Sequence, residues 1–192
     1  MNDYEVSSKV VEWWKDLTGN RVDQDGSQKK VDAGRNGERA ELRRCSEPQQ
    51  VLMCKGFHRL RLLIGGDLSN EKTLALGAVA GLCSHIKTLE TKISFPAMLA
   101  TPTEKEKTSP PLSELRFQKI VKSRTPEDLY TNLRRAINIL KNKGNITSIT
   151  NGVFLWYKNR NNPAVNIQDT LLFQWSNDYF NTILKKETKP SK

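Results

Sequence analysis

The chain has 192 residues, enough for one domain or two small ones whose core needs neither disulfides nor a metal. Lysine and arginine number 31 against 21 acids, a net charge of +10, which favours a polyanionic partner such as nucleic acid or an anionic surface. A 36% hydrophobic content excludes disorder throughout, and the longest apolar run, 74–83, is about half a membrane span and holds two glycines, so no membrane crossing is predicted.

The first residues, "MNDYEVSS", lack the basic and then apolar pattern of a secretory signal. Cys45, Cys54 and Cys83 are odd in number and scattered, which predicts reduced thiols and a cytoplasmic setting.

Helical periodicity then runs along nearly the whole chain. Val10, Trp13, Trp14 and Leu17 recur at i, i+3, i+4 and i+7, the apolar stripe of an amphipathic helix. The stretch 18–37 has four glycines, many charges and only Val22, Val31 and Ala33 as apolar residues, and is predicted to be a mobile loop. "ERAELRRC" reads as a short helix that ends near Ser46-Glu47-Pro48, because proline pushes its predecessor out of the helical region. A second helix is predicted over 48–64, with Leu52, Leu60, Leu63 and Ile64 apolar and Gly65-Gly66 as its stop. A third covers 70–88, where Ala75, Ala78, Val79, Leu82, Cys83 and Ile86 form one stripe of mostly small residues.

Residues 96–111 hold four prolines and the run Glu104-Lys105-Glu106-Lys107, the composition of a linker. Past it, "LSELRFQKIVKS" and the helix 125–143 follow. Thr125 is the predicted N-cap and Pro126 the first helical residue, and Glu127 and Asp128 set negative charge against the positive end of the helix dipole. Lys141, Lys143 and Gly144 mark its other end, and Leu129, Leu133, Ala136, Ile137 and Leu140 its core face. Two more helices are predicted: 146–158 with Ile149, Val153 and Trp156 inward, and 167–185 with Leu172, Trp175, Tyr179 and Ile183 on one face. No alternating strand stands out. The expected fold is all-α: an N-terminal helical bundle over 1–95, the linker 96–111, and a C-terminal bundle over 112–192.

Catalytic patterns are missing from this sequence. His58 lies in a basic helix and His85 in an apolar one, and each reads as an ordinary structural side chain. Cys83-Ser84-His85 has no second ligand pair at a spacing that would complete a zinc site. Neither common phosphate-binding glycine loop is present, and no carboxylate cluster suits a magnesium-dependent nuclease. The expectation is therefore a binding protein, not an enzyme, with no cofactor and no metal.

The arginines suggest what is bound. Arg39 and Arg43 stack at i, i+4 beside Arg44, a like-charge pair that a phosphate or an acidic neighbour would relieve. On the helix 125–143, Arg134 and Lys141 are seven residues apart on one flank, and Arg135 points to the other side of the core stripe. On "LSELRFQKIVKS", Arg116, Lys119 and Lys122 fall opposite Phe117, Ile120 and Val121. The planar guanidinium fork grips a phosphate with two hydrogen bonds, so these flanks suit backbone contacts without sequence preference. The competing reading is a solvated face with local ion pairs to Glu38, Glu41 or Asp128. Aromatic residues sit mostly at core positions, which argues against a base-stacking platform.

Three blocks then carry a family resemblance: "ERAELRRCSEP", "LRFQKIVKSRTPEDLYTNLRRAINILK", and "FLWYK" followed by "FQWSNDYF". Together they resemble the CasB family, the small subunit of the type I-E CRISPR surveillance complex Cascade, over about residues 5–184 apart from 18–37 and the linker. The resemblance implies an all-α, two-bundle protein without enzymatic activity, set as a head-to-tail pair within Cascade. Its implied partners are the other Cascade subunits, the guide RNA and the target DNA, with a basic face that helps hold the R-loop in antiviral defence. By position the family's basic residues fall on Arg43, Arg44, Arg116, Arg134 and Arg135. Lys119 and Lys141 join them from helical geometry, Arg39 shares the first block, and Lys72 follows the family's second bundle-forming helix. The loop before Arg39 and the proline-rich linker are longer than the family leads one to expect. A free-standing helical DNA-binding regulator is the alternative.

Overall fold

The computed structural model describes residues 3–22, 28–102, 109–160, 162 and 166–188. The described residues are overwhelmingly helical, as the periodicity predicts. Helix α1 spans Asp3–Thr18 and buries Val10, Trp13, Trp14 and Leu17. Both indoles also satisfy their single donor: Trp13 Nε1 donates to Gly56 O at 3.0 Å and Trp14 Nε1 to Ile86 O at 3.1 Å.

Where a mobile loop is expected, the chain makes a short antiparallel pair, β1 (Asn20–Val22) with β2 (Gln28–Lys30). Gly19 and Gly34, at φ 67° and 59°, turn the chain into and out of this hairpin. Its tip, 23–27, lies outside the described residues. Strands this short leave no alternation to read.

Helix α2 (Asn36–Arg44) stops before Pro48 as predicted. The single helix expected over 48–64 is instead two, α3 (Pro48–Val51) and α4 (Lys55–Ile64). Tertiary packing explains the break. Leu52 seats against Gly77, where an added Cβ would come within 2.9 Å of its Cδ2.

Helix α5 (Asn70–His85) is the hub, and every residue from Ala75 to Ser84 is buried. Such all-round burial fits a helix of small apolar residues surrounded by others. Around it pack α2, α3 and α4 from the first half, and α8 (Pro126–Ile139) and α9 (Ile146–Arg160) from the second. Helix α1 also lies on α9. A two-residue parallel pair, β3 (Thr88–Leu89) with β4 (Lys143–Gly144), stitches the halves again, closed by a 2.7 Å Glu90–Lys143 ion pair. Buried residues from before and after the linker belong to one continuous core.

The linker needs a correction at its start. Residues Phe95–Ala100 form helix α6, largely buried, with Pro96 in the first turn and the Ser94 hydroxyl accepting from Ala97 N. Proline there starts a helix instead of preventing one. The charge run 104–107 lies outside the described residues. Helix α7 (Glu114–Val121) follows, burying Phe117, Ile120 and Val121.

Helix α8 has the predicted cap, Thr125 Oγ1 accepting from Asp128 N at 3.1 Å. It ends at Ile139, earlier than expected, and the left-handed residues are Lys141 (φ 54°) and Asn142 (φ 63°), not Gly144. Gly144 serves packing, since a Cβ there would come within 2.8 Å of Ile86. The last helix, α10 (Leu171–Glu187), follows a 3-10 turn at Ile167–Asp169. Its inward stripe is Leu171, Trp175 and Tyr179 with Ile183 half-buried, whereas Leu172 is exposed.

Candidate nucleic-acid interface

Arg39 and Arg43 of the short helix and Arg134 of α8 meet at one end of α5, around His85. Arg39, half-buried on α2, donates through Nε to Ser84 O at 2.9 Å and through Nη2 to Ile86 O at 2.8 Å. Ser84 lies in the last turn of α5, whose carbonyls lack an intrahelical partner at the negative dipole end, and Ile86 is its C-cap, so Arg39 already has partners inside the protein. Burial first, and then Arg43 one turn on, hold its guanidinium below the ordinary arginine value. Arg134, half-buried on α8, donates to Cys45 O at 3.4 Å, and the buried Tyr130 hydroxyl donates to the same carbonyl at 3.3 Å. Arg43 and Arg44 are exposed on the last turn of α2.

His85 lies among these charges. Burial pushes its imidazole down to about 4, helped by Arg43, Arg134 and Arg39, and its buried Nε2 has no hydrogen-bond partner. It is neutral at pH 7, since a further cation beside three arginines would be costly. Sequence reading finds the arginines but not this histidine among them, because His85 and Arg134 meet only through the packing of α5 on α8.

The second group lies on the other flank of α8. Arg116 and Lys119 of α7 and Arg135 of α8 line a groove of about 380 Å³. Its floor is apolar, with Leu112, Ile120 and Ala136, and among the described residues no acid lines it. Lys119 and Asn132 also line the neighbouring hollow, where Lys122 and Arg124 continue the strip and Asp128 is the single acid. Arg124 has no place in the helical pattern read from the sequence, since it precedes the cap of α8. Its signal is only proximity to Thr125.

The ion-pair alternative for these arginines meets a specific obstacle. Glu38 pairs with Arg59 at 2.8 Å, and Asp16 with Arg35 at 2.6 Å. Among the described residues, no carboxylate lies within ion-pair distance of Arg43, Arg44, Arg116, Lys119, Arg134 or Arg135.

Two predicted residues lie apart. Lys72 is exposed in the first turn of α5, twelve residues before the Ser84 carbonyl that Arg39 holds, or about 18 Å along the axis. Lys141 is exposed just past the end of α8, so the seven-residue spacing that aligns it with Arg134 on a helix does not apply.

A surface cavity of about 890 Å³ between α1, α9 and α10 mixes Glu12, Glu90 and Asp178 with Lys15 and Lys92 and has no clear charge preference. Among the described residues there is no cluster of three or more potential metal ligands, and no helix is long and apolar enough to cross a membrane.

No curated protein and no solved structure matches the chain. A family model described as CRISPR-associated protein Cse2 matches residues 38–180, well over half of the length, beginning inside α2 and covering both groups of cations. The chain therefore belongs to the Cse2 family, also called CasB, the small structural subunit of the type I-E CRISPR complex Cascade.

Proposed function

We propose that this subunit holds the Cascade R-loop by contacts to nucleic-acid backbone and performs no chemistry of its own. The observation that carries the reading is the strip of exposed cations across α7 and α8, Arg116, Lys119 and Arg135, which have no ion-pair partner among the described residues, with Lys122 and Arg124 beyond. Arg43 and Arg44 add two exposed guanidinium groups beyond the other flank of α8. Its partners are the guide RNA, the target DNA and a second copy of the chain.

In guided recognition, the heteroduplex formed is about as stable as the duplex displaced. A few charge-assisted phosphate contacts are therefore enough to shift the balance, and they need no base recognition. The aromatic rings fit this mode. Trp14, Phe117, Trp156 and Trp175 are buried, and the exposed Phe173 lines the cavity by α10, away from the strip. A stacking platform would need rings beside the cations.

The test is a salt titration of binding to a pre-formed R-loop, comparing the wild-type complex with one carrying Arg116→Ala, Lys119→Ala and Arg135→Ala together. Removing three single-strand phosphate contacts lowers the slope of log K against log salt by about 2. An unchanged slope in a folded, fully assembled complex would contradict the reading.

A further inference from the structure

We propose that Cys45 and Cys54 are a thiol pair that a small-molecule disulfide converts to an intramolecular disulfide. The sequence separates them into two helices, but the fold sets their sulfurs 3.4 Å apart. Cys45 is the C-cap of α2 and Cys54 the N-cap of α4. A disulfide bond is about 2.05 Å long, so the sulfurs need to close by about 1.4 Å. What holds each thiol is weak: Cys45 Sγ reaches Glu41 O at 3.6 Å and Cys54 Sγ reaches Gln50 O at 3.7 Å.

The local structure supplies the freedom for that movement. Cys54 ends the non-helical stretch that divides α3 from α4, and α3 is a single turn from Pro48 to Val51. Met53, its neighbour, is 78% exposed, so solvent reaches this turn although Cys45 and Cys54 are only 7% and 3% exposed. Burial pushes the Cys54 thiol up to about 12. Thiolate therefore forms mainly when the turn opens, which makes the reaction slow in the closed fold and shields the bond once made.

The step balances as ordinary thiol–disulfide exchange. One cysteine thiolate attacks the oxidant's disulfide, forming a mixed disulfide and releasing one thiol. The second cysteine then attacks the protein sulfur of that mixed disulfide and releases the other thiol. The two cysteines lose two protons and two electrons in all, and the oxidant is reduced to two thiols. The new bond ties the end of α2, directly after Arg43 and Arg44, to the start of α4. It also fixes the Cys45 carbonyl that accepts from Tyr130 and Arg134. Cys83, fully buried in α5, has no part in it.

The experiment exposes the full chain to oxidised glutathione, then alkylates free thiols in denaturant and maps the peptides without reductant. The expected product keeps one of the three thiols, on Cys83, loses about 2 Da, carries a Cys45–Cys54 bridge, and melts several degrees above the reduced protein. Cys83→Ser should form the same bridge, and Cys54→Ser should form none. Three thiols still alkylated after prolonged exposure would overturn the proposal. So would stable glutathione adducts, bonds between chains, a bridge through Cys83, or a bridged form that melts below the reduced one.

Discussion

Arg39 and Arg135 carry the same guanidinium group and stand on helices that flank the same core, but the fold treats them differently. Arg39 lies half-buried, with two hydrogen bonds to the carbonyl end of α5. Arg135 stands exposed over a groove that no carboxylate lines among the described residues. The first arginine completes a helix end, and the second has no partner among the described residues. In a chain of charge +10, a count of basic residues therefore overstates what is available to bind. The informative quantity is which cations have no partner inside the protein.

This contrast can be tested at several points. The largest expected effect is on stability. Arg39→Ala removes two charge-assisted bonds and leaves Ser84 O without that donor, at a cost of about 3 kcal/mol, or roughly 10 °C in melting temperature. Thermal melts of the free subunit measure it. A loss below about 0.5 kcal/mol would place Arg39 with the free cations instead.

His85 sharpens the same region through pH. Its folded value is about 4, against an ordinary 6.5, so the unfolded chain takes up the proton first as pH falls. Stability contributed by the neutral imidazole is full above the unfolded value and declines as pH drops from about 6.5 towards 4. By linkage the loss between pH 7 and pH 5 is about 2 kcal/mol, and His85→Gln should abolish that part of the slope. Denaturant titrations at the two pH values decide it, and an unchanged slope in the variant would remove His85 from the account.

Smaller again is the effect of Gly81→Ala. A Cβ at Gly81 would run into the Tyr130 hydroxyl, which bonds the same carbonyl as Arg134. Overpacking of this kind costs about 1.5 kcal/mol and should show in the melting temperature. On the other side of the comparison, Arg135→Ala should change stability by less than about 0.5 kcal/mol, because the side chain is exposed and has no partner among the described residues.

Much of this arrangement is legible in the sequence, and the misses have physical causes. The stripes of α1 and α9 and the cap of α8 follow from local patterns, because each depends on residues within a turn or two, whereas α5 is buried all round and not on the one stripe its small residues suggest. The break at Leu52–Cys54 depends on Gly77, in another helix. The α6 helix carries its own signal, Ser94 followed by Pro96, which four prolines in sixteen residues obscure. On α10 the true stripe is Leu171, Trp175 and Tyr179 at i, i+4 and i+8, and adjacent leucines at 171 and 172 leave the phase ambiguous. For the interface, sequence can name the basic flanks of α2, α7 and α8. It cannot show that Arg39 is bonded to α5 while Arg116, Lys119 and Arg135 share one groove. Those facts arise from contacts between elements far apart in the chain.

The most direct measurement of the central claim is the lifetime of the R-loop on supercoiled target DNA. Guide-RNA complexes would be assembled with the wild-type subunit, without it, and with the Arg116→Ala, Lys119→Ala, Arg135→Ala variant. The account predicts a long-lived R-loop with the wild type and a lifetime close to that of the subunit-free complex with the variant. A variant that joins the complex and sustains the full wild-type lifetime would contradict it.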